Sequence, residues 1–416
     1  MLRLRSRWLI AVLSLLPGWQ AVAPVEAVTR CSAKLSRDGT ILVRASGVVG
    51  TPRWGTRYGD TVNVFDNAGS CVVGERMRDC TLAAEPLPAR RQAPASCTIY
   101  VADDGGTSCS AWVRKCFASS EAPPCPILPA DNIWNRDVSA LPVHAMSATW
   151  IASIGADSHL HPDFGAGPYR NRLIGIPYTV IGPTQPGVPV SFLYSDESDG
   201  GPYPIPPLVP VEGGGSRPSV GKGDAHVLLI DGGSCTLHEV YAARRLQRGA
   251  AWSGGSGAIY DLNSNALRPD GWTSADAAGL PILPGLIRYD EIVAGAVTHA
   301  LRFTASRTQR AYVWPARHYA SSSTDPGLPP MGIRARLKAS VDISGFSPTN
   351  QIILLGLKKY GMMLADNGSP WYLSGAPDRR WDDDDLHQLQ TLRGSDFEIV
   401  DVSSLMIDPD SGQAAP

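Results

Sequence analysis

Cys235-Thr236-Leu237-His238-Glu239-Val240-Tyr241 alternates along its length, so an extended chain puts Leu237, Glu239 and Tyr241 on one face and Thr236, His238 and Val240 on the other. Short β-type runs recur on both sides of it: Gly175 to Ile181, Val188 to Tyr194, Asp224 to Ile230, Gly257 to Leu262, Ala296 to Thr304, Ala311 to Trp314, Ile333 to Lys338, Met362 to Ala365, Trp371 to Ser374 and Phe397 to Val402. Gly, Pro, Asn and Asp fill the gaps. Helical patterns are few and short: Ser147 to Ile154, Tyr289 to Ala294, Thr349 to Tyr360 and Asp383 to Leu392. Pro348-Thr349-Asn350 caps the third, whose Ile352, Ile353, Leu355 and Leu357 should pack on a sheet. Many short strands with few helices predict a mainly β protein, with a β-sandwich or jelly-roll-like domain over residues 132–403 rather than alternating βαβ units.

Upstream, Thr40 to Ala45, Thr61 to Phe65, Cys97 to Val101 and Ser110 to Lys115 read as strands of a small β domain over residues 28–118. Residues 119–131 carry four prolines and form a stiff linker. The tail, residues 404–416, is expected to be disordered. Eight cysteines stand at 31, 71, 80, 97, 109, 116, 125 and 235; seven precede residue 126, so the small domain is disulfide-rich and Cys235 staples the large one, with Cys125 as a candidate partner.

Residues 1–27 set Arg3, Arg5 and Arg7 before the apolar run Trp8 to Leu16 and end at the small-residue site Val25-Glu26-Ala27, the pattern of a Sec signal peptide. The expectation is a secreted or periplasmic protein. A formal net charge of −2 on 416 residues, with no dense run of Lys and Arg, argues against nucleic acid as a partner. No later run reaches about 20 apolar residues, so no membrane span is expected. A monomer without cofactor is the expectation.

Within this frame Glu239, on a strand face beside Tyr241, would sit in a partly apolar cleft where desolvation raises a carboxyl pKa and suits it to general-acid or nucleophilic work. Asp261 is the natural second carboxylate, since glycoside cleavage uses two that flank the bond. Asp261, Asn263 and Asn265 would offer hydrogen-bonding groups at period two. Alternation over Ala296 to Thr304 puts His299 on an apolar face and Arg302 on the other. Tyr312, Trp314, Arg317, His318 and Tyr319 supply stacking surface, cation, imidazole and phenol in one short region. With His299 or His318 and Tyr319 as base and acid, and Arg317 to neutralise a uronate, that set would serve β-elimination.

His159-Leu160-His161-Pro162-Asp163 has a spacing that can place two imidazoles and a carboxylate on a metal, although no fourth ligand is evident and no metal is assigned. Asp382 to Asp385 read as carboxylates answering a helix dipole, and Asp366-Asn367-Gly368-Ser369 as a hairpin turn. No G-x-S-x-G, H-E-x-x-H or G-x-x-x-x-G-K-[ST] motif occurs, which removes serine esterase, zincin and P-loop chemistry.

Tyr289-Asp290-Glu291-Ile292, His299-Ala300-Leu301-Arg302-Phe303 and Trp314-Pro315-Ala316-Arg317-His318-Tyr319 resemble stretches of a set of secreted bacterial proteins, over most of residues 125–403. That resemblance implies no catalytic residues. Side-chain chemistry alone favours a polysaccharide- or oligosaccharide-active enzyme: a glycoside hydrolase with Glu239, Asp261 and His318 as catalytic candidates and Asn263, His299, Arg302, Tyr312, Trp314, Arg317 and Tyr319 lining subsites. A polysaccharide lyase and a lectin-like protein without turnover are the alternatives.

Overall fold

The computed structural model describes residues 122–416 apart from 167, 170–171, 184, 207–208, 215–222 and 247–249, with backbone only for strands 168–169 and 172–173 and for eight strands between residues 30 and 114. Those eight form two four-stranded antiparallel sheets. One runs in the order Arg30–Leu35, Ile41–Ser46, Arg78–Leu82, Gly69–Val73, and the other Thr61–Phe65, Arg53–Tyr58, Ser96–Ala102, Ser108–Arg114. The expected signal peptide and the pairing of the six cysteines from Cys31 to Cys116 lie outside the described residues.

Beyond residue 122 the chain is again mostly strand, with few and short helices. A six-stranded sheet runs in the order Phe397–Val400, Arg334–Leu337, Met362–Asn367, Leu301–Ala305, Tyr372–Ser374, His161–Asp163. A four-stranded sheet runs Tyr178–Ile181, Val227–Asp231, Thr236–Val240, Gly257–Asp261. Both are mixed: Leu301–Ala305 pairs in parallel with Met362–Asn367, Tyr372–Ser374 with His161–Asp163, and Tyr178–Ile181 with Val227–Asp231. A jelly roll pairs its strands antiparallel, so the mainly β class stands while the strand order differs from that expectation.

Parallel pairing demands a long crossover. Between Leu301–Ala305 and Met362–Asn367 it includes the Pro348–Lys359 helix, which Ser347 caps by accepting from the Asn350 N–H at 3.2 Å. Ile353, Leu354 and Leu357 form its buried stripe. Leu355, expected inside, is 56% exposed because the helical period turns Leu354 inward instead.

The four-stranded sheet is covered on both faces. Leu228, Ile230 and Leu237 belong to the main core with Trp134, Phe303 and Trp371, while Val227, Leu229 and Val240 join a second core around Tyr203 and Trp252. Cys125 and Cys235 form a disulfide across 110 residues, tying part of the proline-rich segment to the start of the Thr236–Val240 strand.

The tail expected to be disordered is ordered. Gln413, Ser411 and Ala414 make β-bridges to Asn132, Ala266 and Met406. Arg317 donates to the Pro409 carbonyl at 2.7 Å and to Asp410 at 2.6 Å, and the Trp314 indole donates to the Ser411 carbonyl at 2.8 Å. A polar segment without a hydrophobic pattern gives no sequence signal, yet the buried Arg317 and the half-buried Trp314 hold it in place.

Candidate active site

Strand register separates the carboxylates first paired on sequence grounds. Thr236 stands opposite Asp261 and Glu239 opposite Ala258, and opposed residues share a face, so Glu239 and Asp261 point to opposite sides of the sheet. They cannot flank one bond. Glu239 is fully buried on the main-core side, not in a cleft, and accepts from the N–H groups of Ile282 and Leu283 at 2.9–3.0 Å, holding the Leu283–Gly285 turn. Burial pushes its carboxyl up to about 7 against the pull of those N–H groups. Asp261 is exposed and accepts from the backbone and side chain of Asn263 in a local turn. Asn265 bonds to Asp131 and Asn132, so the row of three does not assemble as a sugar grip.

Other candidates also have structural partners. His299 is buried, with Nε2 2.7 Å from Glu291. Arg317 and Trp314 hold the tail. His159 contacts the Gln390 carbonyl and His161 stacks on Tyr372 at 4.1 Å; among the described residues no three His, Cys, Asp or Glu side chains are grouped as metal ligands. Asp382 accepts from Asp384 and Asp385 N–H groups, capping the short Asp383–Leu386 helix.

A polar cluster forms instead along one face of the six-stranded sheet. Ser374 stands opposite Asp163 in the ladder, and the Arg302 guanidinium reaches across to Ser374 Oγ at 2.6 Å. Its Nε and Nη2 bond Asp276 Oδ2 and Oδ1 at 2.7 and 2.8 Å, and Nη2 also lies 3.3 Å from Asp366. A β-bulge sets the last contact: the ladder runs Phe303 opposite Leu364, then Thr304 opposite Asp366, leaving Ala365 unpaired. Asp366 thus shares the face of Thr304 and Arg302. The extra Ala365 carbonyl accepts from Ala278 N–H at 2.9 Å, which docks the loop carrying Asp276.

The four-stranded sheet brings further groups to this cluster. His226 precedes the Val227–Asp231 strand; its Nδ1 lies 2.6 Å from Glu212 and its Nε2 3.0 Å from the Ala275 carbonyl. Burial alone would lower the imidazole pKa, but the Glu212 charge and hydrogen bond outweigh it and raise it to about 9. Glu212 is held low in turn, because His226 overcomes its own burial. Asp163 goes the other way: desolvation, then the Glu212 charge, raise it to about 6. Asp366 is raised to about 7 by burial and by Asp276, despite Arg302. One cluster therefore holds a carboxylate kept ionised, Glu212, and two carboxyls, Asp163 and Asp366, whose protonated forms persist to higher pH than usual. Asp163 is solvent-exposed and Asp366 and Glu212 are partly so.

An aromatic rim adjoins it. Tyr312 and Tyr319 stack with centroids 6.2 Å apart, and His318 lies parallel to Tyr319 at 5.6 Å. His318 Nδ1 bonds the Ala277 carbonyl at 2.8 Å, and Asn367 Nδ2 donates to the Ala320 carbonyl at 2.8 Å, fastening the rim to both Asp276 and Asp366 segments. Of the residues singled out from sequence, the fold gathers Asp163, Arg302, Tyr312, His318 and Tyr319 at or beside this cleft. Glu212, His226 and Asp276 were missed, and Asp366 was read as part of a turn. Two are acids in glycine-rich or loop sequence, where no periodicity marks them, and Asp366 depends on a bulge that alternation does not reveal.

No family model, curated protein or solved structure matches this chain. The cleft's own chemistry therefore carries the functional reading.

Proposed function

We propose that the protein is a secreted, glycan-active hydrolase whose acid and base are Asp163 and Glu212. What supports this reading is a polar cluster around Arg302 and His226 in which Glu212 is bonded to His226 and held low while Asp163, beside Ser374 in the ladder, is raised to about 6, so that below that value one can donate a proton and the other accept one. Asp163 would protonate the glycosidic oxygen as the C–O bond breaks; a water would bond to the anomeric carbon and pass its proton to Glu212. Asp366, raised to about 7, would bind a substrate hydroxyl. Tyr312, His318 and Tyr319 offer a stacking rim for sugar rings.

β-Elimination is less well supported. It asks for a free cation to neutralise a uronate. Arg302 already bonds Asp276, Asp366 and Ser374, and Arg317 is committed to the tail. The test is a panel of neutral and acidic polysaccharides, following reducing ends and the ultraviolet absorbance of unsaturated products together. New reducing ends that fall about 10²–10⁴-fold in both Asp163→Asn and Glu212→Gln support the hydrolase. Absorbance in place of simple hydrolysis, or full turnover in both variants, overturns it; binding without turnover would favour the lectin-like reading.

A further inference from the structure

A second group of aromatic side chains adjoins the polar cluster from a different part of the chain. Strand Val190–Phe192 runs out into Leu193 and Tyr194, which stand 76% and 49% exposed. Their N–H groups donate to the Gly254 and Gly255 carbonyls at 3.0 and 2.9 Å, which fixes the backbone of this exposed pair. Gly255 in turn donates to the Tyr241 carbonyl at 2.8 Å, and the Tyr241 ring lies directly against it; a Cβ at residue 255 would collide with the ring edge, so this close approach requires glycine. Tyr241 is half-buried, with its ring centroid 5.8 Å from that of His226. Burial, then the nearby Asp224, Asp366 and Tyr194, push its phenol up.

This pair is joined to the Tyr312–Tyr319 rim. Tyr194 leads into the Ser195–Glu197 turn, and its carbonyl accepts from the Glu197 N–H at 3.2 Å and from Ser198 Oγ at 2.6 Å. Glu197 Oε2 accepts from the Thr273 N–H at 3.1 Å and lies 3.7 Å from His318 Nε2, while His318 stacks on Tyr319. A continuous path thus runs from the rim through Glu197 to Tyr194 and Tyr241, and from there to His226 and Glu212. Accessible aromatic faces interleaved with hydrogen-bonding groups match the C–H faces and hydroxyl edges of sugar rings. One sugar ring covers one such face, so two aromatic groups with Glu197 between them ask for several units of a chain. Charge narrows the choice. Asp163, Asp196 and Asp224 are exposed along this path, whereas His226, Arg268 and Arg302 are buried and already bonded to Glu212, Asp199 and Asp276. The acids face outward and their cations lie beneath, which disfavours an anionic chain.

We propose that Tyr194 and Tyr241 form a second sugar-stacking subsite, continuous with the Tyr312–Tyr319 rim, and that the substrate is an uncharged linear glycan long enough to lie on both. The inference rests on the glycan reading, yet it is measured as binding and needs no turnover. The experiment is calorimetry on the full chain carrying Asp163→Asn, which keeps the oligomers whole. The probes are cellobiose and cellohexaose, laminaribiose and laminarihexaose, chitobiose and chitohexaose, arabinobiose and arabinohexaose, and hexagalacturonate. At least one neutral hexamer should bind about tenfold more tightly than its dimer. Adding Tyr194→Ala should cut that gain to about twofold or less, and Tyr194→Trp should keep it, with melting curves confirming that both fold. No gain from dimer to hexamer in any neutral series, the full gain retained in Tyr194→Ala, or hexagalacturonate bound as tightly as the best neutral hexamer would overturn it. Failure of the length effect while the native chain still cleaves polysaccharide removes this inference alone; a length effect that Tyr194→Ala abolishes, without any cleavage by the native chain, removes the hydrolase and leaves the subsite.

Discussion

Arg302 and Asp276 form a two-bond ion pair at the heart of the polar cluster, at 2.7 and 2.8 Å, with side chains only 5% and 0% exposed. A buried pair of this kind is costly to break from one side, because the remaining charge has no water to turn to. Asp276→Ala should therefore lower unfolding stability by about 3–5 kcal/mol in a denaturant titration. Asp276→Asn carries a second consequence. The Asp276 charge helps to raise Asp366, so neutralising it should shift Asp366 down from about 7, as read from the carboxyl carbon shift by NMR.

The pH dependence of turnover follows from the two opposed carboxyls. A proton donor near 6 works only below that value, and an acceptor held low works above its own. The kcat/KM profile should be bell-shaped on the acidic side, with its alkaline limb near 6. In Asp163→Asn that limb should vanish along with most of the activity; a limb unchanged in this variant would assign it elsewhere.

Stability should also rise on mild acidification. Glu239, Asp163 and Asp366 have folded pKa values raised to about 7, 6 and 7, so between these and their unfolded values near 4 the native chain holds more protons and gains stability as pH falls. His226, raised to about 9, contributes fully below 6.5 and loses its contribution as pH rises through 9. Both effects act in the same direction, and the melting temperature at pH 5.5 should exceed that at pH 8.5. Glu239→Gln should flatten the acid part of this curve while leaving turnover unaltered, since Glu239 lies beneath the cleft and reaches no solvent.

Removing the rim should affect binding more than chemistry. Tyr319→Ala loses a stacking partner for both Tyr312 and His318, and KM should rise about two- to tenfold with kcat little changed.

The Cys125–Cys235 link closes a long loop, and Cys125→Ser with Cys235→Ser should cost about 2–5 kcal/mol of stability in a thermal or denaturant scan.

Alternation over residues 235–241 told correctly that Leu237 and Glu239 share a face, and even that burial would raise the Glu239 carboxyl. It could not tell which face meets solvent, because this sheet is covered on both sides by separate cores. A carboxylate expected in a cleft became a turn anchor for that reason. Arg302 and Asp163 were visible as chemistry but not as neighbours. Their meeting depends on the antiparallel pairing of Leu301–Ala305 with Tyr372–Ser374 and the parallel pairing of the latter with His161–Asp163, both set by contacts between distant segments. The aromatic group at 312–319 was legible as a cluster because it is local, though Trp314 and Arg317 turn away from it to grip the tail.

The buried Arg317 guanidinium and the Trp314 indole find their acceptors on Pro409, Asp410 and Ser411, some ninety residues later. Without that stretch Arg317 keeps only its Nε bond to the Arg268 carbonyl and its ion pair with Asp270, and the Trp314 indole loses its acceptor. Residues 409–411 thus act as a latch, coupling the rim's order to a segment remote in sequence.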